Sequence, residues 1–398
     1  MVQALMSAGT AVLPCVAAIG WSAIVVWLIR RAVRQFGAYR EIAVESPRAD
    51  QILPPLAVVV PARNEAHTIV RCLAALATQD YPPRAVEVII VDDNSSDDTA
   101  AAAVAAAGKD RRLRVIAAGP LPTGWTGKSH ACWRGATATE SEWLCFVDAD
   151  TVPAPPLLRM AVMTARRERL DFLSLEPRQE LGTPWERLII PAGLFALAFV
   201  LDHRRTNDAA DGAAAANGQF ILVRRPAYVA TGGHAAVCDS IAEDSALAQA
   251  MKRGGFRIML LGGAALIRTR MYRDLAGLWE GLSKNCVATF GGTAVTLAVS
   301  VIAFVLAWSA VAVPVVLGAL ALQQSSLLLL AAFSMALLAS IAMAGLHVAG
   351  ARHLGIPAAY GLLFPVGYTL AAAIGISGVL QQHRGYARWK GRIYTRAS

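Results

Sequence analysis

Paired cysteines are missing. Six cysteines (Cys15, Cys72, Cys132, Cys145, Cys238 and Cys286) are scattered through 398 residues with no C-x-x-C. That excludes a disulfide framework and a thiolate zinc site, and leaves reduced thiols in a cytoplasmic domain as the default. Charge is also scarce, at 16% of residues. The apolar stretches beyond residue 293 contain no Asp, Glu, Lys or Arg, so they lack the intramembrane charges that mark an ion or substrate path, and a transporter is disfavoured. The net charge of +9 could suggest nucleic acid. The Lys and Arg lie mainly beside apolar stretches, however, as anionic-lipid contacts and topology determinants do. Nucleic-acid binding is therefore not expected.

What the chain has instead is apolar surface. It is 56% hydrophobic with a mean hydropathy of +0.46, too apolar for an ordinary soluble protein and too charged in its middle for a pure membrane bundle. One soluble domain plus membrane segments satisfies both facts. Residues 10–29 are uncharged and match the ~20 residues a helix needs to span a bilayer. Arg30, Arg31 and Arg34 follow at once, which places the N-terminus outside and the next domain in the cytoplasm. A cleaved signal peptide carries its positive charge before the apolar run; here the charge comes after, so residues 1–35 read as an anchor.

Residues 36–55 hold Gly37, Pro47, Pro54 and Pro55 among charged residues and read as a linker. Strands and helices then alternate. Strands are expected at 56–60, 86–91, 113–117 and 143–147. Ile69, Val70, Leu73 and Leu76 recur at helical spacing, and Ser95 or Ser96 could cap a helix through the alanine-rich run that ends near Gly108. This alternation predicts an α/β fold, a mostly parallel sheet flanked by helices, with ligands bound beyond the carboxyl ends of the strands.

The membrane-like parts are less regular. Residues 188–201 are apolar but too short to span, so they read as a core or interfacial helix. Residues 274–290 place Leu275, Leu278, Trp279, Leu282 and Cys286 on one face and Glu280, Ser283 and Lys284 elsewhere. That is the pattern of a helix in the headgroup layer, or of an amphipathic helix facing a core. An interfacial helix at 271–292 is the expectation. Three long apolar stretches follow, at 294–322, 327–350 and 357–380. If all three span, a basic tail at 383–398 (Arg384, Arg388, Lys390, Arg392, Arg396) falls outside, against the positive-inside rule. The last stretch, broken by Pro357 and Pro365, is therefore the candidate to be re-entrant or to lie flat.

The chemistry-bearing residues sit at strand ends. Val91-Asp92-Asp93-Asn94 and Phe146-Val147-Asp148-Ala149-Asp150 each close an apolar run, and Glu243-Asp244 lies further on. Carboxylates so placed suit a nucleotide and a hard divalent cation. Taken singly, each cluster could be a turn with a helix cap, or an acidic helix start.

In order, the motifs are Val58-Val59-Val60-Pro61-Ala62-Arg63-Asn64-Glu65, the Asp92-Asp93 cluster, Gly127-Lys128-Ser129-His130-Ala131 through Gly135, Asp148-Ala149-Asp150, residues 218–225, Gly232-Gly233 and Glu243-Asp244. Together they resemble the family 2 inverting glycosyltransferases with a GT-A fold over roughly residues 56–290. Gly124-Trp125-Thr126-Gly127-Lys128, Arg270-Met271-Tyr272-Arg273, Trp279-Glu280-Gly281, Lys284-Asn285 and the tail Arg388-Trp389-Lys390-Gly391-Arg392-Ile393-Tyr394 are similar to the hopene-associated glycosyltransferases, bacterial membrane proteins linked to hopanoid synthesis. The family's Q/R-x-x-R-W element is matched only by Arg268-Thr269-Arg270-Met271-Tyr272, with Tyr in place of Trp.

The resemblance implies a GT-A catalytic domain at 56–270, with transmembrane helices at both ends of the chain, the C-terminal set at 293–382. It implies that Pro61, Arg63, Glu65 and Asp93 line the nucleotide pocket, that Lys128 and Asp148 face the donor diphosphate, and that Asp148 and Asp150 hold Mg2+ or Mn2+. Asp244 would be the base, supported by Glu243; Arg270, Tyr272 and Trp279 would lie on the acceptor and membrane side. The implied activity moves one sugar from a nucleotide-diphosphate sugar, expected to be a UDP-sugar, to the hydroxyl of a membrane lipid related to hopanoids. The implied setting is the bacterial inner membrane, in association with hopanoid-synthesis enzymes. A processive polysaccharide synthase, a polyprenyl-phosphate glycosyltransferase and an inactive scaffold in a lipid-modifying complex are the competing readings.

Overall fold

The computed structural model describes residues 2–44, 52–384, 386–389 and 392–395, with side chains for residues 12–44 and 52–384. In chain order the elements begin with α1 (Val2–Ala38), β1 (Leu56–Ala62), α2 (Ile69–Ala77), β2 (Val86–Asp92), α3 (Thr99–Ala107), β3 (Leu113–Ala117), α4 (Gly127–Thr137), β4 (Trp143–Val147), β5 (Thr151–Pro153) and α5 (Leu157–Arg167). Next come β6 (Phe172–Glu176), β7 (Arg178–Gln179), α6 (Pro184–Val200), α7 (His203–Asn207), β8 (Phe220–Arg224), α8 (Arg225–Ala230), α9 (Glu243–Arg253), β9 (Ile258–Gly262) and β10 (Ile267–Thr269). The chain closes with α10 (Leu275–Thr289), α11 (Thr293–Gln324), α12 (Leu327–His353), α13 (Ala359–Leu362), α14 (Phe364–His383), β11 (Tyr386–Trp389) and β12 (Arg392–Thr395).

These elements form two units. The α/β unit runs over Ala38–Glu180 and Leu201–Tyr272; the helical unit takes the N-terminal helix, Leu181–Val200 and Arg273–Arg384. The uninterrupted 56–270 domain expected from the sequence is thus corrected: Leu181–Val200 belongs to the helical unit.

In the α/β unit, seven strands are ordered β3-β2-β1-β4-β8-β6-β9. All neighbours are parallel except β8, which runs antiparallel to β4 and β6. The apolar runs Leu56–Ala62, Trp143–Val147 and Ile258–Gly262 are buried almost throughout, as strands covered on both faces must be. Helices complete the layers with one apolar face each; α2 buries Ile69, Cys72, Leu73 and Leu76. A small sheet, β5-β10-β7, lies beside the D-x-D turn.

Gly135 lets α4 lie close to the sheet. A Cβ there would stand 2.3 Å from Val59 Cγ1 and 3.1 Å from Val91 Cγ2. Gly135→Ala should overpack this contact and cost about 1–3 kcal/mol, measured by thermal unfolding of the full chain in detergent; an unchanged melting temperature would refute the close fit.

Two further expectations change. The proposed linker at 36–55 is partly tied down: Ile42 donates its N–H to the Gly262 carbonyl at 2.8 Å, and Gly262 donates to Arg40 at 2.8 Å, so residues 40–42 edge the sheet beside β9. Pro47 lies outside the described residues. Helix α3 starts at Thr99, not at a serine cap. Asp97 Oδ1 accepts the Thr99 N–H at 3.1 Å, while the Ser96 N–H binds Asn64 Oδ1 at 2.8 Å. The serines bridge two loops because Asn64 and Asn94 both adopt left-handed backbone, φ 52°, which Asn tolerates.

In the helical unit, four helices among the described residues are long and apolar enough to cross a membrane: 12–38 within α1, then α11, α12 and α14. The 357–380 stretch is not a re-entrant hairpin. It resolves into short α13 and the continuous 20-residue α14, because Pro365 falls in the first turn of α14, where its missing N–H is harmless. The 188–201 run lies in the 17-residue α6, which begins at Pro184. Helix α10 forms where expected, with Asp274 Oδ1 accepting the Gly277 N–H at 2.7 Å, but its buried side is not the apolar face alone. Ser283 is buried against α14, where a Cβ on Gly378 would meet the Ser283 carbonyl at 2.4 Å. Small residues allow this approach, as in membrane helix pairs. In the expected basic tail, β11 and β12 pair antiparallel; Lys390 and Arg396 lie outside the described residues.

Candidate active site

The parallel strands β1, β2 and β4 end together. Ala62 lies opposite Asp92 in the β1–β2 register, and the Asp93 N–H reaches the Ala62 carbonyl at 2.8 Å. The loops after β1 and β2 are laced. Arg63 Nη1 donates to the carbonyls of Asp93 and Asn94 at 2.6 and 2.7 Å, and the Glu65 N–H donates to Thr99 Oγ1 at 2.7 Å. The buried Arg63 Nε has no hydrogen-bond partner among the described residues. Pro61, Arg63, Glu65 and the buried Asp93 therefore gather at one end of the sheet, around a guanidinium N–H able to bind an acceptor.

Beside them, α4 delivers Lys128. Thr126 caps the helix, its Oγ1 accepting the Ser129 N–H at 3.3 Å, which puts Lys128 in the first turn. Its Nζ lies 2.8 Å from Asp148 Oδ1 and 2.9 Å from Glu243 Oε1. One lysine thus bridges the end of β4 to the start of α9. Burial alone would lower the Lys128 ammonium, but Asp148 and Glu243 outweigh it and hold it well above the usual range. Burial raises the Asp148 carboxyl, Lys128 opposes this, and the charges of Glu243 and Glu65 add to the rise.

Asp244 is held on both oxygens. The Gly218 N–H reaches Oδ2 at 2.8 Å and the Ser245 N–H reaches Oδ1 at 2.7 Å. Burial first, and then the Glu243 charge, raise this carboxyl to about 6, although Lys128 and the two N–H groups pull it down. It is a carboxylate poised to take a proton near neutral pH. Glu243 is buried and faces His234, whose ring burial lowers to about 4; the Tyr228 hydroxyl lies 2.9 Å from His234 Nδ1.

Asp150 follows Asp148 in the turn to β5, and its carbonyl accepts from Thr269 Oγ1 at 3.4 Å. Among the described residues no three His, Cys, Asp or Glu side chains gather closely enough to hold an ion by themselves. The donor set still fits magnesium or manganese. These hard ions take one or two carboxylates and complete their shell with substrate phosphates and water, and Asp148 and Asp150 are hard oxygen donors among further carboxylates that raise Asp148. The acceptor-side trio does not fall in one unit. Arg270 and Tyr272 are in the α/β unit, whereas Trp279 is on α10 in the helical unit, its Nε1 3.2 Å from Ser377 Oγ. Tyr272 is buried, and burial plus the Asp150 charge raise its hydroxyl.

Sequence reasoning missed the support behind these groups. Asn217 and Gln219 flank Gly218: the Asn217 N–H binds Ser174 Oγ at 2.8 Å, and the Gln219 carbonyl accepts the Asp148 N–H at 3.3 Å. The only signal was that Gln219 falls in the 218–225 stretch, which names no partner; Asn217 lies just before it.

A mostly parallel sheet that gathers a D-x-D pair, a lysine and the Glu243-Asp244 helix start beyond its strand ends, in a chain with four membrane-length helices among the described residues, has a GT-A architecture. Residues 57–228 match the family model described as Glycosyl transferase family 2, so the chain carries a glycosyltransferase family 2 domain. It is similar to a 4,4'-diaponeurosporenoate glycosyltransferase of Staphylococcus haemolyticus, at 25% identity over 249 residues, 61% of this chain and 64% of that one. To a protein of the same name from Staphylococcus aureus it is 28% identical over 251 residues, 60% of this chain and 62% of that one. The match thus spans less than two thirds of these relatives. A mannosyltransferase from Pyrobaculum calidifontis, solved in complex with GDP-Man and Mn2+, shares the fold with a TM-score of 0.54 and 20% identity, covering 93% of this chain and 99% of that one.

Proposed function

We propose that the protein is an inverting glycosyltransferase that moves one sugar from a nucleotide-diphosphate sugar to the hydroxyl of a membrane lipid. The observation that carries this reading is Asp244, held by two backbone N–H groups beside the Asp148–Lys128–Glu243 bridge. Asp244 takes the acceptor proton as the acceptor oxygen attacks the anomeric carbon. The bond from that carbon to the diphosphate breaks, and its electron pair leaves with the nucleoside diphosphate. A single displacement with one base inverts the anomeric centre. Pro61, Arg63, Glu65 and Asp93 line the nucleotide end, and Lys128 meets the negative charge on the diphosphate. Asp148 and Asp150 would hold Mg2+ or Mn2+, which supplies further charge neutralisation at the leaving group. Glu243 keeps Lys128 in place. Arg270 is the basic side chain on the acceptor side; Tyr272 supports the D-x-D turn.

The donor is a UDP-sugar in this reading, and the acceptor is an isoprenoid or polycyclic lipid related to hopanoids, supplied by hopanoid-synthesis enzymes. The four membrane-length helices and the lipid-like acceptor in the relatives' name support a lipid substrate. Arg30, Arg31 and Arg34 after the first apolar run favour a multi-pass bacterial inner-membrane protein with the α/β unit facing the cytoplasm. The relatives' name ends in a carboxylate, so a lipid acid is the second acceptor class. It would arrive already deprotonated and would not need Asp244.

The test is a mass-spectrometric comparison of lipid extracts from cells expressing the wild type or Asp244→Asn. A lipid heavier by one sugar unit, present only with the wild type, is the expected result and identifies sugar mass and acceptor. Identical extracts from a host that makes hopanoids would overturn the hopanoid acceptor. In vitro, excess chelator should abolish transfer, and added Mg2+ or Mn2+ should restore it. Full transfer in chelator would remove Asp148 and Asp150 from a metal role.

A further inference from the structure

Gly218 makes the closest approach in the site. Its N–H donates to Asp244 Oδ2 at 2.8 Å. A Cβ on Gly218 would stand 3.0 Å from Lys128 Nζ, 3.1 Å from Asp244 Oδ2 and 3.3 Å from Asp244 Cβ. The lysine ammonium and the carboxylate therefore both lie against one bare α-carbon. The peptide is fixed on both sides. Asn217 exchanges hydrogen bonds with Ser174 Oγ on β6, at 2.8 and 3.0 Å. Gln219 accepts the Asp148 N–H through its carbonyl and reaches Thr269 Oγ1 through Nε2 at 3.3 Å. The Gly218 N–H cannot swing away without breaking contacts to β6, to the end of β4 and to β10.

We infer that Gly218 is a positioning residue for the transfer step: its N–H aims the Asp244 carboxylate, and its missing side chain admits the Lys128 ammonium between Asp148, Glu243 and Asp244. This rests on the reading of Asp244 as the proton acceptor. Any side chain at 218 pushes Lys128 outward or tilts Asp244, and both changes weaken the stabilisation of the ionised base. The charged groups facing Asp244 are Glu243 on its own helix and Lys128 from α4; His234, from the 3-10 turn Gly233–Val237 packed on α9, faces Glu243 and Lys128 with its ring lowered to about 4 by burial, and β9 brings no ionisable side chain.

The experiment uses the full chain in nanodiscs and compares wild type, Gly218→Ala and Gly212→Ala. A Cβ on Gly212 meets nothing within 4 Å, so that variant controls for the loss of a glycine. Two readouts are taken between pH 5 and 9: sugar transfer, and the protonated-carboxyl infrared band that Asp244→Asn removes. Gly218→Ala should move the titration of that band and the acid limb of kcat to higher pH and lower kcat about 10- to 100-fold, with donor KM nearly unchanged; Gly212→Ala should match wild type. A band titrating in Gly218→Ala at the wild-type pH would overturn the proposal whether or not transfer is detected. Absence of transfer from the wild type, with the band still shifted in Gly218→Ala, would count against the proposed activity and leave the positioning role standing.

Discussion

Asp244→Asn should keep the fold and nucleotide binding and lose turnover by about 10²- to 10⁴-fold, the usual contribution of a positioned general base. The amide keeps the size, but its single oxygen can accept only one of the two N–H bonds that Gly218 and Ser245 give to separate Asp244 oxygens, and it cannot take a proton at neutral pH. Wild-type transfer should rise with pH through about 6, where Asp244 ionises. Stability should run the other way. The folded carboxyl titrates above its unfolded value, so the folded state binds more protons across the interval from the ordinary Asp value up to about 6, and Asp244 costs stability as pH rises through it. The Asn variant lacks that pH-dependent cost, so its melting temperature relative to wild type should be higher at pH 7.5 than at pH 5. Transfer assays and thermal melts at pH 5 and pH 7.5 measure both. Near wild-type turnover with a hydroxyl acceptor would exclude Asp244 as the base, whereas turnover retained only with a lipid acid would select the carboxylate class of acceptor.

Lys128→Met should damage stability and catalysis together. The lysine compensates Asp148 and Glu243 at 2.8 and 2.9 Å, and Met leaves these carboxylates facing each other. Breaking a fully buried pair costs several kcal/mol; Lys128 keeps about a third of its side chain exposed, so a cost of about 1–3 kcal/mol is expected. Turnover should fall by about 10²- to 10³-fold with the loss of one charged group at the leaving diphosphate. Two neighbouring carboxylates without their lysine should also favour a dication. Mn2+ or Mg2+ should then raise the melting temperature of Lys128→Met more than that of wild type. Equal shifts in the two proteins would mean that the lysine and the ion do not share these carboxylates.

Much of the α/β unit was legible because its strands carry strong local signals. The runs at β1, β2 and β4 are short, largely apolar and closed by Pro or Asp, that at β3 is followed by Ala118-Gly119, and all four form where the sequence pattern placed them. Lys128, Asp148, Glu243 and Asp244 could be singled out by motif, and the fold brings them together. What sequence could not supply was long-range. Nothing local says that β8 pairs antiparallel between β4 and β6, that residues 40–42 edge β9, or that Gly218 sits against Lys128. Helix packing was obscured for another reason. Ser283 reads as a polar-face residue by periodicity, yet it is buried because Gly378 lets a neighbouring helix approach, and no pattern within 274–290 encodes that glycine.

The position of β8 bears on the order of synthesis. Strands β4 and β6 leave the ribosome first, but they are joined only through β8, which is made after α6. Until then each presents a row of unpaired backbone groups, the kind of edge that invites pairing with another chain. A nascent chain halted between residues 181 and 219 should therefore be prone to aggregation, and shortening the protein to a continuous soluble fragment ending before α6 would freeze that vulnerable intermediate.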